Sequence, residues 1–181
     1  MNRVARLMQH DGIVAIQKRK FRATTNSKHS YPVWPNLLNR NFIVSRPNSV
    51  WVSDITYIWT LEGCLYLASI LDLFSRGIVG LAMDKTITDE LTRQAFTQAV
   101  LRRNPGKGLI YHSDRGVQYA SNDFKSLLAQ HEFIGSMSKK GDCWDNAVAE
   151  SFFHTLKVEL IHRIKFMTRE EAKRKIFEYI E

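Results

Sequence analysis

Residues 50–60, V-W-V-S-D-I-T-Y-I-W-T, are rich in β-branched and aromatic side chains and read as one long strand. Alternation puts Val52, Asp54, Thr56 and Ile58 on one face and Trp51, Ile55, Tyr57 and Trp59 on the other. A strand that is apolar on both faces is the central strand of a sheet covered on two sides. An ionised Asp54 in its middle is costly to bury unless it is paired or metal-bound, and no Lys or Arg lies near it in sequence. Two readings stay open at this point: a carboxylate that accepts backbone N–H groups, or a ligand.

Working outward, Glu62-Gly63 marks a turn, residues 65–73 form a second strand, Ser75-Arg76-Gly77 turns again and residues 78–83 form a third, an antiparallel meander. Thr88 caps a helix that runs to Arg103, Asn104-Pro105-Gly106 breaks it, and residues 109–113 form a short buried strand. Ser121 caps a further helix to His131, residues 133–137 return as a fifth strand, and a helix begins near Asp145. Thr168 and Glu171 make a capping box for the last helix, which is still running at Glu181. The order is β-β-β-α-β-α-β-α, which predicts an α/β fold of the ribonuclease-H type, a mixed five-stranded sheet with flanking helices.

The chain upstream is different. Residues 1–50 carry 9 Lys/Arg against the single acid Asp11, whereas residues 51–181 carry 17 of each sign, so the whole basic excess is N-terminal. A basic arm on a neutral domain is a layout for gripping a polyanion, because neutralising phosphates releases condensed counterions. The alternative is a solvated basic linker. Val4, Leu7 and Met8 recur at helical spacing with Arg3 and Arg6 turned away, and Gly12 ends that helix. Residues 17–49 are basic and turn-rich, with Lys18, Arg19 and Lys20 and Pro32, Pro35 and Pro47, and read as a linker or extended arm. The predicted division is therefore 1–49, a helical remnant with a basic linker, and 50–181, the α/β core. Cys64 and Cys143 have neither disulfide-framework nor zinc spacing and fit a reducing cytoplasm. The longest apolar stretch, Cys64 to Leu71, falls far short of the ~20 residues that a membrane span needs.

Three carboxylates stand out. Asp114 ends its strand before Arg115-Gly116, at a carboxyl edge of the sheet where α/β folds place ligand sites, and it is equally explained as a turn Asp. Glu150 lies near the start of its helix, where the dipole alone favours an acid, and 35 residues separate it from Asp114. Together, Asp54, Asp114 and Glu150 suit phosphoryl transfer, in which hard oxygen ligands hold Mg²⁺ or Mn²⁺ and two ions roughly 3.5–4 Å apart serve in-line displacement. Lys157, two turns on from Glu150, stands where it can hold a phosphate, or is a solvated helix residue. Lys139 and Lys140 read as a loop that tracks a DNA backbone, with Trp144 either stacking on a base or packing locally. Asp72 competes for a site role but is read as a hairpin residue, Asp142 and Asp145 are read as helix caps, and His112, on the same strand face as Asp114, either assists that Asp or, as preferred, is a core histidine.

At W-V-S-D-I-T-Y-I (51–58), Y-L-A-S-I-L-D-L-F-S-R (66–76), Y-H-S-D-R-G-V-Q-Y (111–119) and D-N-A-V-A-E-S-F-F-H-T-L-K-V-E (145–159), the sequence resembles the transposases of the insertion sequence three family, in particular their second-frame catalytic protein, which are relatives of the retroviral integrase core. The resemblance runs over nearly the whole chain. It implies a bacterial DNA transposase whose ribonuclease-H-like core binds two Mg²⁺ or Mn²⁺ ions through Asp54, Asp114 and Glu150. Such a core cleaves at element ends with water to expose a 3′ hydroxyl and then joins strands without a covalent enzyme intermediate. It also implies element ends and target DNA as partners, a multimer at synapsis, and a cytoplasmic protein found on the nucleoid when bound to DNA. The stretch Asn2 to Gly12 resembles the last helix of the family's upstream helix-turn-helix. Compared with the family pattern the chain reads as truncated at both ends. A DNA-binding remnant without activity is the alternative function, and a ribonuclease-H-type nuclease unrelated to transposition is a third.

Overall fold

A computed structural model of the protein describes residues 3–13, 29–139 and 143–181. The fold is ribonuclease-H-like. Strands β1 (Val50–Thr60), β2 (Gly63–Asp72) and β3 (Ile78–Asp84) form the meander, and β4 (Ile110–Ser113) and β5 (Ile134–Met137) complete a mixed sheet of order β3-β2-β1-β4-β5. β1 is thus central, antiparallel to β2 on one side and parallel to β4 on the other. The β1–β2 turn is closed by Gly63 at φ +111°, a conformation that L side chains rarely adopt.

Helix α1 (Arg3–His10) comes first and is exposed along its described side chains, and α2 (Asp89–Arg103), α3 (Val117–Ala120), α4 (Asn122–Gln130), α5 (Ala147–Glu159) and α6 (Arg169–Ile180) cover both faces of the sheet. The two-sided burial expected of β1 is met. Trp51 and Ile55 pack with Leu91, Phe96 and Phe124 of α2 and α4, whereas Ile58 packs with Phe153 and Leu156 of α5 and Ile176 of α6. Truncating one such residue to Ala costs roughly 2–5 kcal/mol, since the surroundings collapse only in part. α2 approaches β3 so closely that a Cβ on Gly80 would lie 2.2 Å from the Ala95 carbonyl oxygen.

Several local expectations need correction. The four-residue α3 was not foreseen; it forms where Gly116 turns the chain after Asp114. Thr88 stands at the N-cap position of α2, but its side chain makes no capping bond. The α6 box is formed, with Thr168 Oγ1 accepting from Glu171 N at 3.0 Å, and the Glu171 carboxylate reaches back to Met167 N at 2.7 Å. Residues 29–49, read as a linker, are extended in part but packed on the core: Leu38 is buried, and Met137 N donates to the Pro35 carbonyl at 3.4 Å. Among the described residues no helix is long and apolar enough to cross a membrane.

Candidate active site

The sheet register brings the two aspartates together. β1 and β4 pair in parallel as Val50 with Ile110, Trp51 with Tyr111 and Val52 with His112. Carried two residues further, the same offset sets Asp114 beside Asp54, and adjacent strands lie about 4.8 Å apart. Both project from the face that α5 covers, because Val52 and Val50 on that face pack with Ala149 of α5. Each carboxylate is aimed by a local N–H: Ile55 N donates to Asp54 Oδ1 at 2.8 Å and Gly116 N to Asp114 Oδ1 at 2.9 Å. Gly116 opens α3, so the turn that was missed in the sequence is what orients Asp114.

Burial holds the Asp54 carboxyl well above the usual carboxylate range, and the Asp114 charge pushes it further in that direction. The Ile55 N–H and, more weakly, Lys157 oppose this, while Glu150 adds to the rise. Glu150 is exposed on α5, but its carboxyl loses enough solvent that its pKa is also raised. Burial lowers the Lys157 pKa, against which Asp54 acts, and Lys157 Nζ sits 5.2 Å from the centroid of the Tyr57 ring. Asp54 therefore feels the other three, with Asp114 the stronger and Glu150 the weaker of its acidic neighbours. Among the described residues no three His, Cys, Asp or Glu side chains are grouped closely enough to enclose an ion as they stand.

The donor set nonetheless has the chemistry of a hard-cation site. The charges of Asp114 and Glu150 push on the buried Asp54 carboxyl, with Lys157 as the neighbouring cation, and that repulsion is what a divalent ion would relieve. Asn146 adds a buried acceptor. Its Nδ2 donates to the Ser53 carbonyl at 3.2 Å, next to Asp54, while its Oδ1 is buried with no partner among the described residues. Sequence reading passed over Asn146; its place at the head of a helix looks like that of a cap, yet its side chain makes no capping bond. Behind the site the Ser53 hydroxyl and the fully buried Tyr119 hydroxyl are 2.8 Å apart.

His112 and Asp72 take the structural roles preferred for them from the sequence, and Asp145 does not. His112 is fully buried between the Ser136 and Ser138 hydroxyls at 2.8 and 3.2 Å, and burial pushes its pKa down to about 4, so it is a neutral core residue. Asp72 is a turn residue that accepts from Asn48 N and from Ser75 N and Oγ. Asp145 is not a simple cap. It is 2% exposed and accepts from Asn36 Nδ2 at 2.8 Å, Arg40 Nε at 3.1 Å and Lys139 N at 2.8 Å. Arg3 and Arg6 are exposed on α1, and Lys139 is exposed after β5. Lys18, Arg19, Lys20, Lys140 and Asp142 lie outside the described residues, as does the side chain of Trp144.

Comparison with known proteins gives concordant results. The integrase core domain family matches residues 44–143, and a second integrase core domain description matches 150–181. The chain is 49% identical over 180 residues to the uncharacterized 31 kDa protein of insertion element IS600 from Shigella sonnei, a match covering 99% of this chain and 66% of that protein. It is 45% identical over 178 residues to transposase InsF for insertion sequence IS3A from Escherichia coli strain K12, covering 98% and 62% respectively. The chain thus spans less than two thirds of the length of these two relatives. In fold it is similar to a chain of the simian T-cell lymphotropic virus intasome in complex with PP2A regulatory subunit B56 gamma, with TM-score 0.64 and 16% identity over 84% of this chain and 54% of that one. The HTLV-2 integrase catalytic core domain, a dimeric form in complex with magnesium, gives TM-score 0.54 at 18% identity over 72% and 85%.

Proposed function

The chain belongs to the integrase core domain family, and on that footing we propose that it is the catalytic part of a DNA transposase that cleaves and joins strands at the ends of a bacterial insertion sequence. The reading is carried by one observation: the β1–β4 register sets Asp114 beside Asp54 on the face covered by the helix of Glu150. Asp54, Asp114 and Glu150 would hold Mg²⁺ or Mn²⁺, two ions in the full site. When bound, such ions act as Lewis acids on the attacking and leaving oxygens of an in-line displacement at phosphorus.

What the chain itself contributes follows from its geometry. The strand aspartates present fixed acceptor oxygens, oriented before substrate arrives by the Ile55 and Gly116 N–H groups. Lys157, drawn toward Asp54, holds a scissile or adjacent phosphate at that edge. Water and then a 3′ hydroxyl are the two nucleophiles. The apolar floor of Val52 and Ala149 limits bulk water beneath the site. The basic stretch upstream of residue 50, including Arg3, Arg6, Lys18, Arg19 and Lys20, together with Lys139 and Lys140, grips DNA backbone, and two ends are brought together by more than one copy of the chain.

The test is a branched DNA resembling the joined product, incubated with the protein in Mn²⁺. Reversal of joining by this chain, and its loss in Asp114→Asn, is the expected result. Inactivity of both in a folded protein would leave a DNA-binding protein without the chemistry, and a preference for RNA–DNA hybrids would redirect the reading to a ribonuclease.

A further inference from the structure

Residues 29–44 pass the edge strand β5, to which they are tied at Pro35 and Leu37, and α4, to which they are tied at Pro32. Leu37 N donates to Ser136 Oγ at 2.9 Å, and Lys125 Nζ donates to the Pro32 carbonyl at 2.6 Å. Trp34 lies so close to Gly135 that a Cβ there would be 2.3 Å from the indole ring. The strap then meets Asp145, whose carboxylate takes both Asn36 Nδ2 and Arg40 Nε, 109 and 105 residues away in sequence. The same carboxylate takes Lys139 N, two residues past the end of β5.

Asp145 sits in the 3₁₀ turn Cys143–Asn146, which runs directly into α5 and so into Glu150. On its other side the turn is pinned to β1, where Asn146 Nδ2 donates to the Ser53 carbonyl next to Asp54. The head of the Glu150 helix is thus clamped between the strap and the strand that carries the first aspartate. We propose that Asp145 is a positioning residue: it latches the N-terminal strap to the head of α5 and thereby sets how far the Glu150 carboxyl reaches toward Asp54 and Asp114. This rests on the reading of Glu150 as a metal ligand given above. It makes the strap, which continues upstream into the basic arm, a mechanical input to the catalytic core.

The full chain is the material for the test, and Mn²⁺ binding followed by electron paramagnetic resonance is the readout, with amide hydrogen exchange alongside. Asp145→Asn, nearly isosteric, should raise the half-saturating Mn²⁺ concentration about tenfold, the low end of what loss of a residue orienting a ligand costs. It should also speed exchange in residues 29–44 and in the first turn of α5 while β1–β3 keep their protection. Arg40→Gln removes the partner whose side chain is 52% exposed and should act in the same direction but less. Asp145→Glu should recover part of the affinity. Unchanged Mn²⁺ affinity in Asp145→Asn with a loosened strap would overturn the proposal, as would global loss of protection in Asp145→Asn accompanied by unaltered affinity in Arg40→Gln. Glu150→Gln separates the two levels: if it leaves Mn²⁺ binding untouched, the reading of Glu150 fails and takes the latch with it; if it weakens binding while Asp145→Asn does not, only the latch fails.

Discussion

Asp54 and Asp114 are placed by backbone pairing, whereas Glu150 is placed by the packing of a helix. The strand half of the site is fixed once β1 and β4 are in register, because a one-residue slip would turn every side chain to the other face. The helix half has no such guarantee. α5 is held by Ala149, Phe153 and Leu156 and by the Asp145 and Asn146 contacts at its head, and Glu150 itself is exposed. The difference teaches that a metal bound as proposed would draw on two unequal supports: a strand pair in which Asp114 pushes on Asp54, and a third acid carried by a packed helix.

The sharpest way to break the comparison is Asp114→Asn. Strand cleavage in Mn²⁺ should fall below detection, yet the metal-free fold should be as stable as before or more so, since the charge that pushes on Asp54 is gone. Thermal unfolding with and without chelator checks this, and a lower midpoint without metal would show Asp114 to be structural.

Gly135→Ala attacks the other support without touching any carboxylate. The new methyl would displace the Trp34 ring, lift the strap and cost about 1–3 kcal/mol by overpacking. Denaturant unfolding measures the cost, and Mn²⁺ binding should weaken with it. Full Mn²⁺ affinity in a protein destabilised by that amount would mean that the strap and the helix half are independent.

The pH dependence of stability in chelator separates two aspartates of opposite sign. Asp54 has a raised pKa, so its contribution is fully present below the ordinary value of 3.8 and is lost as pH rises through the folded-state value. Although burial opposes it, the Lys139 N–H and the Arg40 guanidinium hold Asp145 below 3.8, so its contribution is present above 3.8 and is lost as pH falls through the folded-state value. Asp54→Asn should flatten the decline on the rising side and Asp145→Asn the decline on the acid side. Midpoints measured from pH 3 to about pH 8 decide it, and an unchanged profile in either variant contradicts the assigned cause.

Lys157→Gln is the mildest. It removes a cation near Asp54 and one phosphate contact, so DNA binding should weaken similarly for all sequences, with the slope of log affinity against log salt reduced by about 1. An unchanged slope would return Lys157 to being a helix residue resting on Tyr57.

Much of this was legible in the chain as written. The strand 50–60 declared itself central, the turns fell at Gly63 and after Asp72, and the Thr168 box was visible in four residues, because period, turn chemistry and capping are local. Thr88 shows the limit of even local reading, since a good cap residue in the cap position made no cap bond. Asp145 shows the larger limit. In sequence it precedes a helix and nothing more, and its partners Asn36 and Arg40 are more than a hundred residues away.

The sequence by itself determined the order of elements, the buried face of each strand and the three acids, since these follow from periodicity and from residues whose chemistry is the same wherever they stand. Only the tertiary structure decided that Asp54 and Asp114 are neighbours, that the core histidine His112 sits between two serine hydroxyls with its pKa pushed down, and that the upstream segment is a strap on the Glu150 helix. Each of these depends on pairing between distant segments and on loss of solvent, and neither quantity exists until the chain has closed on itself.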